Sequence, residues 1–379
     1  MASVLLITNI FPPIIGGPAI FIDRLALALS ARSHTVTVVC SGEGLVPKGY
    51  DDQRPFKICR INLTNRYTYE ILIRLCLFWQ LLRHRHILVN GLESYVSPIA
   101  KILRRAYALK IVGDSVWEQG RNWGILTSDF NAFQSEPVPA RLQGVARART
   151  AWIQRAHTII TPGTWLKTIV TSWDVPADRI QVIRNGAPLS TFSHSQPAPR
   201  KDKLDIVFVG RLTNWKGVET LLLAMQDLQD IHLTIIGNGP ELPMLTTLSH
   251  QLGIVEKVTF AGKMEQRDLH HRLCQAHALA LPSGYEGLSH TLLEAGAAGL
   301  ARLASQIGGN ADAITHGVDG LLIPYGDVQA WRSALIQLIS DDDLRIRLGQ
   351  AAQVSVANDD FMDSVNAYVD VIEGAKCKK

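Results

Sequence analysis

The feature that most constrains this chain is a pattern that runs, breaks and then restarts. Short apolar runs bounded by turn residues alternate with longer stretches of helical spacing. Ser3–Thr8, Thr35–Cys40, Ile87–Asn90, Lys110–Gly113, Thr158–Thr161 and Gln181–Ile183 read as strands without a polar face. Between them, Ala19–Ala31, Tyr69–Arg83, Ser94–Tyr107, Ala140–Ala156 and Trp165–Ser172 carry helical spacing. A strand that is apolar on both sides needs cover on both sides, and crossover helices supply it. Such alternation predicts a mostly parallel sheet sandwiched by helices, an α/β architecture.

The break falls at residues 187–203, rich in Pro, Ser and charge and without periodicity, which reads as a linker. Beyond it the pattern resumes with strands predicted at Asp205–Gly210, His232–Gly237, Val258–Ala261, Ala278–Pro282, Ala301–Ser305 and Leu321–Ile323. The helices predicted there are Lys216–Leu228, Pro240–Leu252, Gln266–Ala276, His290–Ala298, Ala311–His316 and Val328–Ile339. Two parallel-sheet domains in tandem, 1–186 and 204–358, are expected to turn their strand C-termini toward a central cleft. With 379 residues, 47% of them hydrophobic and 19% charged, the chain can fill two cores, which excludes a disordered or disulfide-stapled class.

Charge divides along the same boundary. Residues 1–190 hold 22 Lys and Arg against 12 Asp and Glu, whereas the remainder holds 16 against 22. A basic first half suits an anionic surface, and an acidic second half argues against nucleic acid as partner. The five scattered cysteines, with no C-x-x-C pair, point to a reducing compartment and away from structural zinc. Met1 leads directly into an apolar strand with no basic leader, so no secretory signal is expected and the chain reads as cytoplasmic. The stretch Ile71–Leu82 is too short to span a bilayer, which needs ~20 residues.

Candidate site residues cluster at strand ends. After the first strand, Gly16-Gly17 precedes a helix; this is either a tight turn or a place where backbone approaches a phosphate. It is neither G-x-G-x-x-G nor a P-loop. The first strand of the second domain ends in Gly210-Arg211, with Lys216-Gly217 opening the next helix. A forked cation and a point cation straddling one strand-end loop suit a diphosphate leaving group. Glu286 lies in a loop and Glu294 eight residues on, within an apolar helix face where a carboxylate needs a partner. Carboxylates accept sugar and ribose hydroxyls, and the Gly287 and Leu288 amides near the helix start suit a phosphate. The histidines His84, His86, His270, His271 and His277 have no companions at metal spacing and read as surface or helix-end residues.

Taken together these segments resemble the family 4 glycosyltransferases, the retaining, metal-independent GT-B enzymes built from two Rossmann-like domains. The resemblance runs over nearly the whole chain. It rests on the Gly-Gly loop, Thr161–Leu166, Ile183–Ala187, G-R-L-x3-K-G at Gly210–Gly217, Ile236-Gly237-Asn238-Gly239-Pro240, E-x7-E at Glu286 and Glu294, and Ile307–Leu322. It implies that Gly16, Gly17, Gly210, Asn238, Gly239, Gly287 and Leu288 line the donor site. It also implies that Arg211 and Lys216 neutralise the departing diphosphate, Glu286 holds the transferred sugar, and Glu294 holds the ribose. The expected reaction moves a hexosyl group from a nucleoside-diphosphate donor to a glycan or lipid-linked glycan, in cell-envelope or extracellular polysaccharide synthesis. No metal and no other cofactor is expected. Residues 359–379 would form a helix returning to the first domain.

Departures from the family pattern accompany the match. Asp114, in Ile111–Glu118, stands where relatives carry His; it is expected to contact donor sugar or acceptor. Arg302 is an unusual residue for a buried strand, and Asp312 replaces a common Glu. The helix around residues 66–86 is apolar over most of its circumference, with Arg83 and Arg85 at its end and Lys101, Arg104 and Arg105 on the next. It either covers the sheet or lies on an anionic membrane. Trp117, Arg121 and Trp123 are candidates for an acceptor cleft. Two alternatives stand beside the transferase reading: a nucleotide-sugar epimerase of similar shape, and a non-catalytic sugar-nucleotide-binding protein.

Overall fold

The computed structural model describes residues 2–14, 16–42, 46, 49–62, 65–193, 195, 197–200 and 202–374. The chain divides into two compact units. One comprises the chain to Pro162, Leu166–Ile183 and the chain from Val365; the other comprises Gly163–Trp165 and Arg184–Ser364.

In the first unit the order is β1 (Ser3–Thr8), α1 (Gly17–Ala31), β2 (Thr35–Gly42), β3 (Lys57–Asn62), α2 (Arg66–Arg83), β4 (His86–Asn90) and α3 (Glu93–Ile102). It continues with β5 (Tyr107–Lys110), α4 (Ser115–Asn122), α5 (Phe130–Ser135), α6 (Gln143–Arg155), β6 (Ala156–Thr161), α7 (Thr164–Thr171) and β7 (Ile180–Val182). Among the described residues these strands form one seven-stranded parallel sheet in the order β3-β2-β1-β4-β5-β6-β7. Val4 to Ile7 at its centre are fully buried between helices, as an all-apolar parallel strand requires.

The second unit carries β8 (Leu204–Val209), α8 (Val218–Ala224), β9 (Ile231–Ile236), α9 (Leu242–Gln251), β10 (Val258–Gly262), α10 (Gln266–Gln275) and β11 (Ala278–Leu281). Then follow α11 (His290–Ala297), β12 (Ala301–Ser305), α12 (Gly308–Ala311), β13 (Leu321–Ile323), α13 (Val328–Ser340) and α14 (Asp342–Val356); the last helix, α15 (Phe361–Gly374), belongs to the first unit from Val365 onward. Among the described residues the strands make a six-stranded parallel sheet, β10-β9-β8-β11-β12-β13. The α/β fold of two parallel-sheet domains therefore stands.

Several expectations need correction. The strand predicted at Lys110–Gly113 is Tyr107–Lys110 instead; Ile111 still donates to Ile160 O at 2.8 Å, and the chain then turns into α4. The helix predicted to reach Tyr107 stops at Ile102, because Arg104 adopts a left-handed φ of 51° and the chain reverses. Helix Lys216–Leu228 shortens to α8, preceded by a 3-10 turn at Asn214–Lys216. Helix Ala311–His316 lies earlier, at Gly308–Ala311. Strand β3 was not predicted, since its Lys-Ile-Cys-Arg-Ile-Asn mixes polar and apolar residues at a sheet edge. Within the expected linker, Ala187 and Phe192 are buried and a 3-10 turn covers Leu189–Phe192; His194, Gln196 and Lys201 lie outside the described residues.

Helix α2 has two apolar stripes. Tyr69, Ile73, Leu77 and Leu81 pack inward, spaced at four residues. On another side Ile71, Leu72, Leu75, Trp79 and Leu82 are exposed, Trp79 by 55%. Arg74 caps Tyr95 at 5.1 Å, and Arg83 lies over Trp79 at 5.6 Å. The helix thus covers the sheet and also presents apolar surface. In the same unit, the buried Lys110 amine stands 3.3 Å from the Phe21 ring centre and 5.2 Å from that of Tyr368 in α15. Burial pushes its pKa down to about 7. No helix among the described residues is long and apolar enough to cross a membrane.

Candidate active site

In the second unit the strand order reverses between β8 and β11: the chain moves outward to β9 and β10, then returns beside β8. Ligands of open α/β sheets bind outside the strand C-termini at such a switch point. The loops that leave β8 and β11 carry the residues singled out by sequence. Lys216 Nζ donates to Glu286 Oε1 at 2.5 Å, with both side chains largely enclosed. Arg211 is exposed on the same loop; its carbonyl accepts from Thr213 N at 3.0 Å, while its side chain has no hydrogen-bond or ion-pair partner among the described residues.

Backbone contacts fix these loops. Gly217 has a φ of 66°, and a Cβ there would stand 2.0 Å from Pro282 O, so this position requires glycine on both counts. Gly284 N donates to Trp215 O at 2.7 Å, which ties the two loops directly. Leu212 N donates to Asn238 O at 3.0 Å and Glu241 N to Leu212 O at 3.1 Å, so the Asn238-Gly239 turn after β9 locks onto the Gly210-Arg211 loop. A Cβ at Gly309 would meet Glu286 O at 2.0 Å, which places the start of α12 directly under the Glu286 loop.

Ser289 caps α11 by accepting from Leu292 N at 3.4 Å. Leu288 O accepts from Asn185 Nδ2 at 2.8 Å. The Gly287 and Leu288 amides have no acceptor among the described residues. Glu294 is buried on α11 with Oε1 3.7 Å from His270 Nε2 on α10. His270 also packs edge-on against Phe192, with ring centres 5.0 Å apart and planes 60° apart. The partner that a buried Glu294 needs is in part this histidine.

Of the expected surface or helix-end placement, the helix end holds for His84, the C-cap of α2, but the surface does not: His84, His270 and His277 are all buried. His84 Nδ1 donates to Gln80 O at 2.9 Å, because a carbonyl only accepts; its Nε2 then accepts from Thr37 Oγ1 at 3.0 Å. His277 Nδ1 accepts from Asp205 N at 2.8 Å. A bare Nδ1 makes the His277 ring a neutral tautomer.

Two further sequence oddities are anchors. The fully buried Arg302 guanidinium stands 3.1 Å from the Asp319 carboxylate and donates to Asp319 O and Ser355 Oγ. Its Nη1 also reaches Leu292 O, at 3.5 Å, and so braces α11 from below. Asp312 accepts from Thr164 Oγ1 at 2.6 Å and from Trp165 N at 2.9 Å, which pins the Gly163–Trp165 segment.

The remaining predicted residues belong to the first unit. Gly16 is the N-cap of α1 and Gly17 its first residue, with Pro18 next. Arg60 of the unpredicted β3 donates to Pro12 O at 2.6 Å and pairs with Asp51 at 2.8 Å, holding the loop before Gly16. Sequence reasoning missed Arg60 because only the β3 register places it there. Asp114 differs from expectation. Its carboxylate is fully buried, caps α4 at Val116 N (2.9 Å) and pairs with Arg149 Nη1 at 2.6 Å. Gln134 Nε2 adds a third donor at 3.3 Å. Both oxygens are engaged, so the structure gives Asp114 a positioning role instead of the sugar contact expected for it. Trp117 is also buried, its Nε1 donating to Ser128 O at 3.2 Å, whereas Trp123 is exposed.

Comparison with known proteins completes the picture. Residues 16–186 match the family model described as a glycosyl transferase 4-like domain, and residues 190–355 match that of glycosyl transferases group 1. The chain belongs to this glycosyltransferase family. A glycogen synthase of Mycobacterium tuberculosis is 28% identical over 246 residues, which cover 63% of this chain and 59% of that protein. The chain thus spans about 59% of the length of that relative. A lipopolysaccharide core biosynthesis glycosyltransferase of Rhizobium meliloti is 27% identical over 309 residues, 77% of this chain and 87% of that one. Among solved structures, an Anabaena protein in complex with UDP and glucose superposes with a TM-score of 0.79 at 16% identity, over 99% of this chain and 100% of that one. These GT-B likenesses agree with the two parallel sheets.

Proposed function

We propose that this chain moves a hexosyl group from a nucleoside-diphosphate donor to a glycan or lipid-linked glycan, with retention and with protein cations in place of a divalent ion. The observation that carries the reading is the Lys216–Glu286 pair at the β8/β11 switch point, with Arg211 exposed on the same loop as Lys216. Breaking the sugar–phosphate bond builds positive charge on the ring and negative charge on the diphosphate. Arg211, Lys216 and the amides of Gly287 and Leu288 are the groups that stabilise the latter, usually the largest catalytic effect. Glu286 accepts hydroxyls of the transferred sugar, and Glu294 those of the ribose. The acceptor oxygen attacks the face the diphosphate leaves, and its proton passes to the departing phosphate.

The UDP bound by the Anabaena protein supports a nucleoside diphosphate as leaving group. The Rhizobium meliloti relative, named for lipopolysaccharide core synthesis, supports an acceptor on a lipid carrier and a role in cell-envelope polysaccharide. The exposed apolar stripe of α2 fits that acceptor: with Arg66, Arg85, Lys101 and Arg104 exposed around it, it suits an anionic bilayer at the cytoplasmic face. The test is release of nucleoside diphosphate from candidate donors in EDTA, with and without acceptor glycan. Acceptor-dependent release that survives EDTA supports the reading; release that requires a divalent ion, or none with any donor, overturns it.

A further inference from the structure

We propose that Cys59 and Cys76 form a redox dithiol that peroxide closes to a disulfide, stapling α2 to the edge strand β3. Cys59 lies on β3 and Cys76 on α2, neither fully buried, and the two thiols are near enough to shift each other's ionisation. Gln80, one turn beyond Cys76, directs its amide Nε2 to Cys59 Sγ at 3.4 Å. Lys57, two residues before Cys59, is exposed on the same face of β3. The surroundings are thus a second thiol, an amide donor and a cation, the set that favours a thiolate.

The neighbouring groups act in that direction. The hydrogen bond from Cys76 is the largest influence and, with Lys57 and Gln80, outweighs burial, bringing Cys59 down to about 7. Cys76, which supplies that bond, is raised. The first proton is thus lost by the pair, and the Gln80 amide and Lys57 beside Cys59 favour the charge on that sulfur. Cys40, on the adjacent strand β2, is the contrast: it is fully buried, and burial raises it to about 12. Having one thiolate beside one protonated thiol separates attacking from resolving sulfur.

The reaction balances with hydrogen peroxide as oxidant. The Cys59 thiolate attacks one peroxide oxygen, the O–O bond breaks, and the hydroxide released takes a proton to leave as water. The resulting sulfenic acid is attacked by Cys76 Sγ, which loses its proton as the S–O bond breaks and a second water departs. Two electrons pass from the thiols to one peroxide. The bond formed joins the helix that carries the exposed apolar stripe to the sheet edge.

The test is peptide mapping of the whole protein after treatment with equimolar hydrogen peroxide at pH 7, with dimedone as sulfenic-acid trap. The expected result is a Cys59–Cys76 linked peptide that dithiothreitol removes. Cys76→Ser should instead accumulate dimedone on Cys59, and Cys59→Ser should consume peroxide about tenfold more slowly. A wild-type map in which Cys59 runs on to sulfinic acid without a linked peptide, or in which Cys40 reacts first, overturns the proposal. The wild-type map needs no variant to fold, and it is independent of transferase activity.

Discussion

Lys216 Nζ donates to Glu286 Oε1 at 2.5 Å, joining the loop that leaves β8 to the loop that leaves β11. Under the proposed function, the pair sets the cation assigned to the diphosphate beside the carboxylate assigned to the sugar.

Replacing that cation should therefore harm chemistry more than folding. Lys216→Ala and Arg211→Ala are each expected to lower kcat by about 10²–10³, the usual cost of one transition-state donor. Steady-state rates of nucleoside-diphosphate release measure this. Unfolding midpoints should stay close to wild type, since Arg211 is exposed and the loops are held by backbone bonds.

Asp114 should behave in the opposite way. Its buried carboxylate serves Val116 N, Gln134 and Arg149 at once, and Arg149 in turn packs 4.0 Å from the Trp173 ring centre. Asp114→Ala strands a guanidinium and is expected to cost about 3–5 kcal/mol. Urea unfolding checks the loss; a variant of unchanged stability would contradict the positioning role.

The parallel-sheet architecture and the loops that carry Lys216 and Glu286 were legible in sequence because each rests on local chemistry. All-apolar strands announce burial on two faces, and glycines such as Gly217 mark places where backbone meets backbone. What was hidden depends on contacts distant in sequence. Asp114 reads as a ligand until Arg149, thirty-five residues on, takes its Oδ2. Arg302 looks misplaced in a strand until Asp319 and Ser355 satisfy it. The edge strand β3 escaped notice because only one of its faces needs to be apolar, and a helix such as α2, apolar on two sides, gives one signal for two roles.

Arg302 carries a prediction of its own. Arg302→Met leaves the Asp319 carboxylate buried without its guanidinium and is expected to destabilise the fold by about 3–5 kcal/mol. Donor KM should rise in the same variant, because Arg302 braces Leu292 O of α11, the helix that holds Glu294. Isothermal titration of a nucleoside diphosphate separates the two effects.

Acid should destabilise the protein through His84 and His277. Burial lowers both below the ordinary value of 6.5, so the folded state resists the proton that the unfolded chain accepts. Their contribution to stability is complete above about pH 6.5 and declines as pH falls below it. At His277 a proton on Nδ1 would face the Asp205 N–H, donor against donor. Unfolding free energy measured from pH 7.5 to 5.5 should fall with decreasing pH, and His277→Gln should flatten that slope.

A crystal structure of the protein with a sugar nucleotide examines the whole mechanism in one measurement. The diphosphate oxygens should lie about 3 Å from Arg211 and Lys216, with no metal ion between them, and the ribose should reach Glu294. A donor seated away from the β8/β11 strand ends, or held there through a divalent ion, would contradict the account.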